Sequence, residues 1–141
     1  MDKKPTLDAR TVARLVAEVA SLQAAGSEEE ATTRAGDRVP GPGLVGEVDG
    51  SKVFLVDGNW VKLHCSMDFV EGGNDMVYEY VSAGQIWIDG DLDHTQIRYV
   101  ALHEAVERRC MSELGMDYEH AHGMANEVER AVRADNVLGP A

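Results

Sequence analysis

Residues 94–134 read HTQIRYVALHEAVERRCMSELGMDYEHAHGMANEVERAVRA, and this stretch decides the fold. Apolar residues recur every three or four positions on both sides of Gly115, which is typical of two amphipathic helices. Asp93, with a glutamine three residues later, favours a helix start, and the glycine favours a helix end. The sequence therefore predicts one helix over about 94–114 and a second, capped by Asp117, that continues to about residue 134. Because the link between them is short, we expect an antiparallel helical hairpin.

Upstream of this hairpin, four short apolar runs are typical of β-strands. The runs are VFLV (53–56), WVKLHC (60–65), MVYEYV (76–81) and QIWID (85–89). The triplet 57–59, Asp-Gly-Asn, favours a tight hairpin, and the Gly-Gly pair within 67–75 favours a turn or a loop. Together these elements predict an α+β domain, in which a small, mainly antiparallel sheet of about four strands packs against the C-terminal helical hairpin.

The first 43 residues predict a helix followed by a linker. LDARTVARLVAEVASLQA (7–24) has apolar residues at helical spacing, which predicts an N-terminal amphipathic helix within 1–24. Residues 25–43 lack such a pattern and end in Pro-Gly-Pro-Gly, so they predict a flexible linker. The remaining segment, 44–141, is the predicted α+β domain. Whether the first helix docks on this domain, on a second copy or on another protein is left open by the sequence.

The composition narrows the function classes. The chain has 25 Asp and Glu against 13 Lys and Arg, and almost all of the acidic excess lies after residue 43. Since phosphate contacts need Lys and Arg, we expect no nucleic-acid partner. No apolar run is long enough to cross a membrane and no leader is recognisable, so we expect no membrane association. Two separate cysteines, Cys65 and Cys110, favour reduced thiols in a cytoplasmic protein.

The first helix of the hairpin carries polar side chains on the side that should be buried. His103 and Glu107 lie one turn apart in the middle of the apolar stripe, and Glu104 lies on its flank. The arginines of this helix face the other way: Arg98, Arg108 and Arg109. A buried carboxylate is costly unless it is paired or bound to metal, and a metal ion is the simplest compensation. On the second helix His122, rather than His120, lies at the edge of the core-facing side.

Two imidazoles and one carboxylate, from His103, His122 and Glu107, are a sufficient ligand set for a catalytic divalent ion. Zinc is the first expectation, and iron and manganese are alternatives. Glu104 is placed to take a proton from a water molecule at the ion. Two further side chains of the second helix could orient the ligands: Tyr118 and Glu129. A hypothesis without metal also stays open, in which the same three side chains form a buried hydrogen-bonded network.

The stretch QIWIDGDLDHTQIRYVALHEAVERR (85–109) resembles the strand-then-helix unit of compact zincin metallopeptidases, where an edge strand precedes a helix that bears HExxH. The resemblance implies that His103 is the first histidine ligand and Glu104 the general base. It also implies that residues 85–89 are the edge strand, along which an extended peptide substrate binds.

The chain departs from the zincin pattern at the second ligand. The motif reads HEAVE, with Glu107 in the position of the second histidine, and His122 would replace a later ligand that is a glutamate in many zincins. A second likeness, over about residues 53–133, is to small uncharacterised bacterial and phage proteins in which an HExxE helix precedes a Tyr-x-x-Ala-His helix, here residues 118–122. Because those proteins have no established activity, this second likeness does not indicate a function.

Other acidic groups are weaker candidates. Asp89, Asp91 and Asp93 begin like a calcium loop, but the later glycine and glutamate of such a loop are missing, so a strand end and a helix cap are expected. Asp68 and Glu71 could line a substrate cleft. The sequence thus predicts a zincin-like, metal-dependent hydrolase acting on a peptide. The rival prediction is a non-catalytic interaction protein with an acidic face on the same fold, and the oligomeric state is left open.

Overall fold

A computed structural model of the chain describes residues 7–139, and it confirms the α+β class. The elements in chain order are α1 (Ala9–Ala20), β1 (Ala31–Thr32), β2 (Arg38–Val39), β3 (Gly43–Val48), β4 (Ser51–Val56), α2 (Gly58–His64), β5 (Gly72–Asn74), β6 (Gln85–Asp89), α3 (His94–Ser112) and α4 (Tyr118–Ala134). Among residues 7–139, no helix combines the length and the apolar character needed to cross a membrane.

The main sheet has four strands in the order β3-β4-β6-β5. The β3–β4 and β5–β6 pairs are antiparallel, whereas β4 and β6 are parallel, with Val53 opposite Ile86 and Leu55 opposite Ile88. The sheet is therefore mainly antiparallel, as predicted.

The prediction that residues 85–89 form an edge strand is wrong. They form β6, which lies between β4 and β5, and the strand at that edge of the sheet is β5. The consecutive apolar residues of β6 explain its interior position, since Ile86, Trp87 and Ile88 are all fully buried and both faces of the strand are covered. A strand covered on both faces reads as a continuous apolar run, which is typical of interior strands with a parallel neighbour.

Two cores cover the faces of the sheet. Ile86 and Ile88 point to the larger core, on which α1, α3 and α4 pack. Trp87 and Phe54 point to the smaller core, which also contains Phe69 of the loop after α2. The N-terminal helix α1 therefore docks on this chain's own sheet and on α3.

The segment 25–43, predicted as a flexible linker, is instead part of the folded unit. Its strands β1 and β2 pair with each other, and Ala31 and Val39 are buried in the smaller core. The glycine that begins β3 shows why a glycine-rich composition did not mean a flexible linker here. Gly43 has φ 101°, and a Cβ there would lie 2.3 Å from the carbonyl oxygen of Ser27. Glycine here permits a positive φ and close backbone packing, not flexibility.

Two of the four predicted strands are wrong. Residues 60–65 belong to α2 and its end, because the side chain of Asp57 accepts the backbone N–H groups of Asn59 and Trp60 and so begins a helix. Residues 76–81 form turns instead: Val77 and Tyr78 donate their N–H groups to the carbonyl oxygen of Asn74, and Val81 donates to that of Tyr78. The strands β3 and β5 take their places in the sheet.

The C-terminal helical hairpin is confirmed. Asp93 accepts the backbone N–H of Gln96 at 2.9 Å and begins α3, while Asp117 accepts that of His120 at 2.9 Å and begins α4. Gly115, with φ 66°, lies in the link between the helices. One side of α3 packs against one side of α4. The polar cluster of His103, Glu107 and His122 lies between the two helices.

Candidate metal centre

The three predicted ligands meet between α3 and α4. His103, Glu107 and His122 each offer one ligand atom, and these atoms all lie within 4.8 Å of one another. Oε2 of Glu107 lies 2.7 Å from Nδ1 of His122 and 3.3 Å from Nε2 of His103. The two imidazole nitrogens are 3.3 Å apart. This group could hold a metal ion.

The cluster has a buried side and an open side. Glu107 is only 3% exposed, whereas 41% of the His122 side chain is accessible to solvent. Arg108 and Arg109 bind Asp75 and Asp49 and leave the cluster without an arginine partner from α3, as the helical phase predicts.

The structure separates the two histidines of α4 as expected. The His120 side chain is 79% exposed and contacts Asp117 at the start of the helix, 2.7 Å away. The ring of His122 instead stacks on Tyr118, with the ring centroids 5.2 Å apart, and edges against His103. Tyr118 therefore steadies one face of the His122 ring.

Glu129 holds His103 from the side opposite Glu107. Its Oε1 lies 3.0 Å from Nδ1 of His103, and its Oε2 accepts Nε of Arg133 at 2.8 Å. Arg133 also lies over the ring of Tyr99, 4.2 Å from the centroid, and donates to Gln96. The hydrogen bond from His103 and the charge of Arg133 lower the pKa of Glu129, so this carboxylate stays ionised.

The carboxylates also act on His103. Burial alone would lower the pKa of His103, but its hydrogen bonds with Glu107 and Glu129 outweigh burial and raise that pKa to about 10. Without metal, the two carboxylates therefore favour an imidazole that carries a proton on each nitrogen. A metal ion that bound Nε2 would take the place of one of these protons.

Glu104 lies beside the cluster. It is 7% exposed, and its Oε1 accepts Nδ2 of Asn74 at 3.0 Å. Burial raises the pKa of Glu104 to about 7, and the charge of Glu107 acts in the same direction. The charge of His103 and the hydrogen bond from Asn74 oppose this rise. A carboxyl with a pKa near neutrality exchanges a proton readily at physiological pH.

A cavity of about 450 Å³ opens onto the cluster. It is lined by side chains of the two helices and by acidic groups of the loop before β5: His103, Glu104, Glu107, His122, Asp68 and Glu71. Both loop acids therefore line this cavity, and their role toward a substrate stays a prediction. The acidic groups of the calcium-like pattern lie elsewhere, where Asp89 and Asp93 accept backbone N–H groups at a strand end and a helix start.

Two residues of the site escaped sequence reasoning. Asn74 belongs to β5, inside a segment predicted as a loop, and Arg133 lies eleven positions beyond His122 on α4. A signal for Arg133 was present, because it follows Glu129 by one helical turn. Asn74 has no such local signal, since its partners are 30 and 33 residues away in the chain.

Comparison with models of known protein families, with curated proteins and with solved structures finds no match.

Proposed function

We propose that the protein is a metal-dependent hydrolase of zincin-like type that acts on a peptide or protein. His103, Glu107 and His122 would hold the ion, and Glu104 would act as the general base. One observation carries the proposal: three potential ligands converge in an open cavity, and a buried carboxyl with a raised pKa lines the same cavity.

Zinc fits the donor set best. Two imidazole nitrogens and one carboxylate oxygen, with one position left for water or substrate, are typical of catalytic zinc sites. Iron and manganese accept similar donors and stay as alternatives. The ion would supply Lewis acidity toward water and toward a substrate carbonyl.

Glu104 and Glu129 would have different roles at the site. Glu104 lies in the cavity beside the ligand group, where it can accept a proton from attacking water and return it to the leaving amine. Glu129 accepts the Nδ1–H of His103 and so leaves Nε2 free to act as the ligand atom. Such a carboxylate behind a ligand histidine orients the ring and raises its basicity.

A peptide suits the surface beside the cavity. Gly72 of the edge strand β5 lines the cavity, and a Cβ there would lie 2.8 Å from Val100 Cγ1 and 3.0 Å from the carbonyl oxygen of Trp87. The absence of a side chain lets β5 pack closely against α3 and β6. An extended peptide can add to the edge of a sheet through backbone hydrogen bonds. The edge strand of the resemblance would thus be residues 72–74, in place of 85–89.

The rival hypothesis is a structural metal site in an interaction protein, and it predicts a cluster that is closed to solvent. The open cavity and the accessible His122 ring favour a catalytic site instead.

Elemental analysis tests the metal site directly. After zinc loading and removal of excess ion, we expect about one equivalent of zinc in the wild-type protein, and its loss from His103→Ala and His122→Ala. His120→Ala is the matched control, because that exposed histidine lies outside the cluster, and it should retain zinc. Zinc retained in both cluster variants would refute the ligand assignment. Wild-type protein without metal would support the buried polar network and the interaction protein.

A further inference from the structure

Asn74 connects the two glutamates of α3. This residue is fully buried at the end of β5. Its Nδ2 lies 3.0 Å from Oε1 of Glu104 and 3.3 Å from Oε1 of Glu107. One amide group thus reaches both the proposed base and the proposed carboxylate ligand.

The orientation of this amide is fixed by the backbone. Oδ1 of Asn74 accepts the N–H of Met76 at 2.9 Å, and the backbone carbonyl of Asn74 accepts the N–H groups of Val77 and Tyr78. A backbone N–H can only donate, so the oxygen of the side chain must face Met76 and the two N–H donors must face the carboxylates.

The amide also distinguishes the two oxygens of Glu107. Oε1 accepts from Asn74, whereas Oε2 lies 2.7 Å from Nδ1 of His122 and 3.3 Å from Nε2 of His103. Only Oε2 faces the nitrogens that would share the ion. Glu104 is held through its own Oε1, which accepts the same amide nitrogen.

We propose that Asn74 is a positioning residue that keeps Glu104 out of the ligand set and restricts Glu107 to one ligand oxygen. This inference rests on the proposed metal site and adds to it. An ion with one position free needs a limit on the number of protein donors, and two glutamates one turn apart offer four oxygens. The two N–H donors of a single buried amide occupy one oxygen of each.

Cobalt(II) provides a readout that does not depend on turnover. Its visible absorption is intense when four donors surround it and weak when five or six do, and the geometry of a site is diagnostic of its donors. Asn74→Ser retains a hydroxyl that can accept the N–H of Met76, but the shorter side chain cannot reach the glutamates. We expect this variant to bind cobalt and to lose much of the wild-type absorption intensity.

Asn126→Ser is the matched control. Asn126 lines the same cavity but is exposed and makes no hydrogen bond to either glutamate among the described residues, so the cobalt spectrum should be unchanged. Wild-type intensity in cobalt-loaded Asn74→Ser would overturn the inference and leave the metal site standing. A wild-type protein that binds no cobalt would remove the proposed function and this inference with it.

A second measurement needs no variant and decides the case if Asn74→Ser does not fold. In a crystal structure of the cobalt-loaded wild-type protein, we expect Glu107 to bind through one oxygen and Glu104 to remain on Asn74. Coordination of the ion by Glu104, or by both oxygens of Glu107, would overturn the inference.

Discussion

Oε1 of Glu129 lies 3.0 Å from Nδ1 of His103, although the two residues belong to different helices and are 26 positions apart. This contact fixes which imidazole nitrogen faces Glu107 and His122. The geometry of the three potential ligands therefore depends on the packing of α4 against α3 as well as on the three side chains themselves.

Glu129→Gln should weaken zinc binding. The variant keeps the shape of the side chain but loses its negative charge. That charge pairs with Arg133 and strengthens the hydrogen bond that Glu129 accepts from Nδ1 of His103. Loss of such a partner behind a ligand histidine typically costs about 10- to 100-fold in metal affinity or activity. Competition with a chromophoric chelator measures the affinity. Glu127→Gln, at an exposed position of the same helix, is the control. Equal zinc affinities for the two variants would show that Glu129 does not support the site.

Glu104→Gln should retain zinc and lose hydrolysis. The amide oxygen of the new side chain can still accept from Asn74, so the packing is kept, but the group can no longer accept a proton. General acid–base catalysis typically contributes about 10²- to 10⁴-fold, which is the expected loss in kcat. Zinc content and turnover of fluorogenic peptides are measured on the same samples. Wild-type turnover in a zinc-loaded Glu104→Gln sample would exclude this residue as the base.

Asp75→Asn should destabilise the protein in a pH-dependent manner. Asp75 accepts Nε and Nη2 of Arg108 at 2.6 and 3.1 Å and the N–H of Gly84 at 2.9 Å. Burial raises the pKa of Asp75, but these contacts together lower it below its ordinary value of 3.8. Because the side chain is 6% exposed and Arg108 22%, we expect a cost of about 2–4 kcal/mol at pH 7, somewhat below that of breaking a fully buried pair.

The sign of this pH dependence follows from the lowered pKa. A carboxyl whose pKa is lower in the folded than in the unfolded state stabilises the fold above the unfolded value, and this stabilisation is lost as the pH falls through the folded value. Urea denaturation at pH 7 and near pH 3 should therefore give a smaller difference between wild type and Asp75→Asn at the lower pH. A difference that does not change with pH would contradict the ion-pair explanation.

Gly73→Ala should destabilise the protein, and Gly123→Ala should not. A Cβ at position 73 would lie 2.4 Å from two ring carbons of Tyr78, whereas one at position 123, within α4, would contact nothing within 4 Å. Overpacking of this kind costs about 1–3 kcal/mol, while alanine in place of glycine inside a helix gains about 0.5–1 kcal/mol. Urea denaturation measures both changes. Equal free energies of unfolding for the two variants would contradict the tight packing at β5.

The helical hairpin and its polar seam could be predicted from the sequence because their determinants are local. Helical spacing predicts His103 and Glu107 on one side of α3, and the caps at Asp93 and Asp117 mark where the two helices begin. Once the helices are antiparallel neighbours, His122 is the histidine of α4 that can reach them. The three potential ligands follow from this reasoning without knowledge of the sheet.

The sheet was predicted less well because its determinants are distant in the chain. Residues 60–65 alternate like a strand, yet a single hydrogen-bonding side chain, Asp57, begins a helix there. The pairing of β5 with β6, and the contact of Asn74 with Glu104, depend on tertiary packing that no local pattern records. The prediction of a linker over 25–43 was wrong for the same reason, since three of its four glycines, Gly26, Gly41 and Gly43, permit close backbone contacts.

The parallel pairing of β4 with β6 has a consequence for the order in which the molecule folds. Lys52 pairs with Gln85 across a long connection, whereas His103 and His122 are 19 positions apart on one hairpin. Contacts between nearby positions form early, and parallel strand pairs form late. During refolding, a divalent ion would thus meet its donors on the hairpin before Asn74, whose glutamate partners are 30 and 33 positions away, reaches them. Capture of the ion and acquisition of catalytic competence would then be two kinetically distinct events.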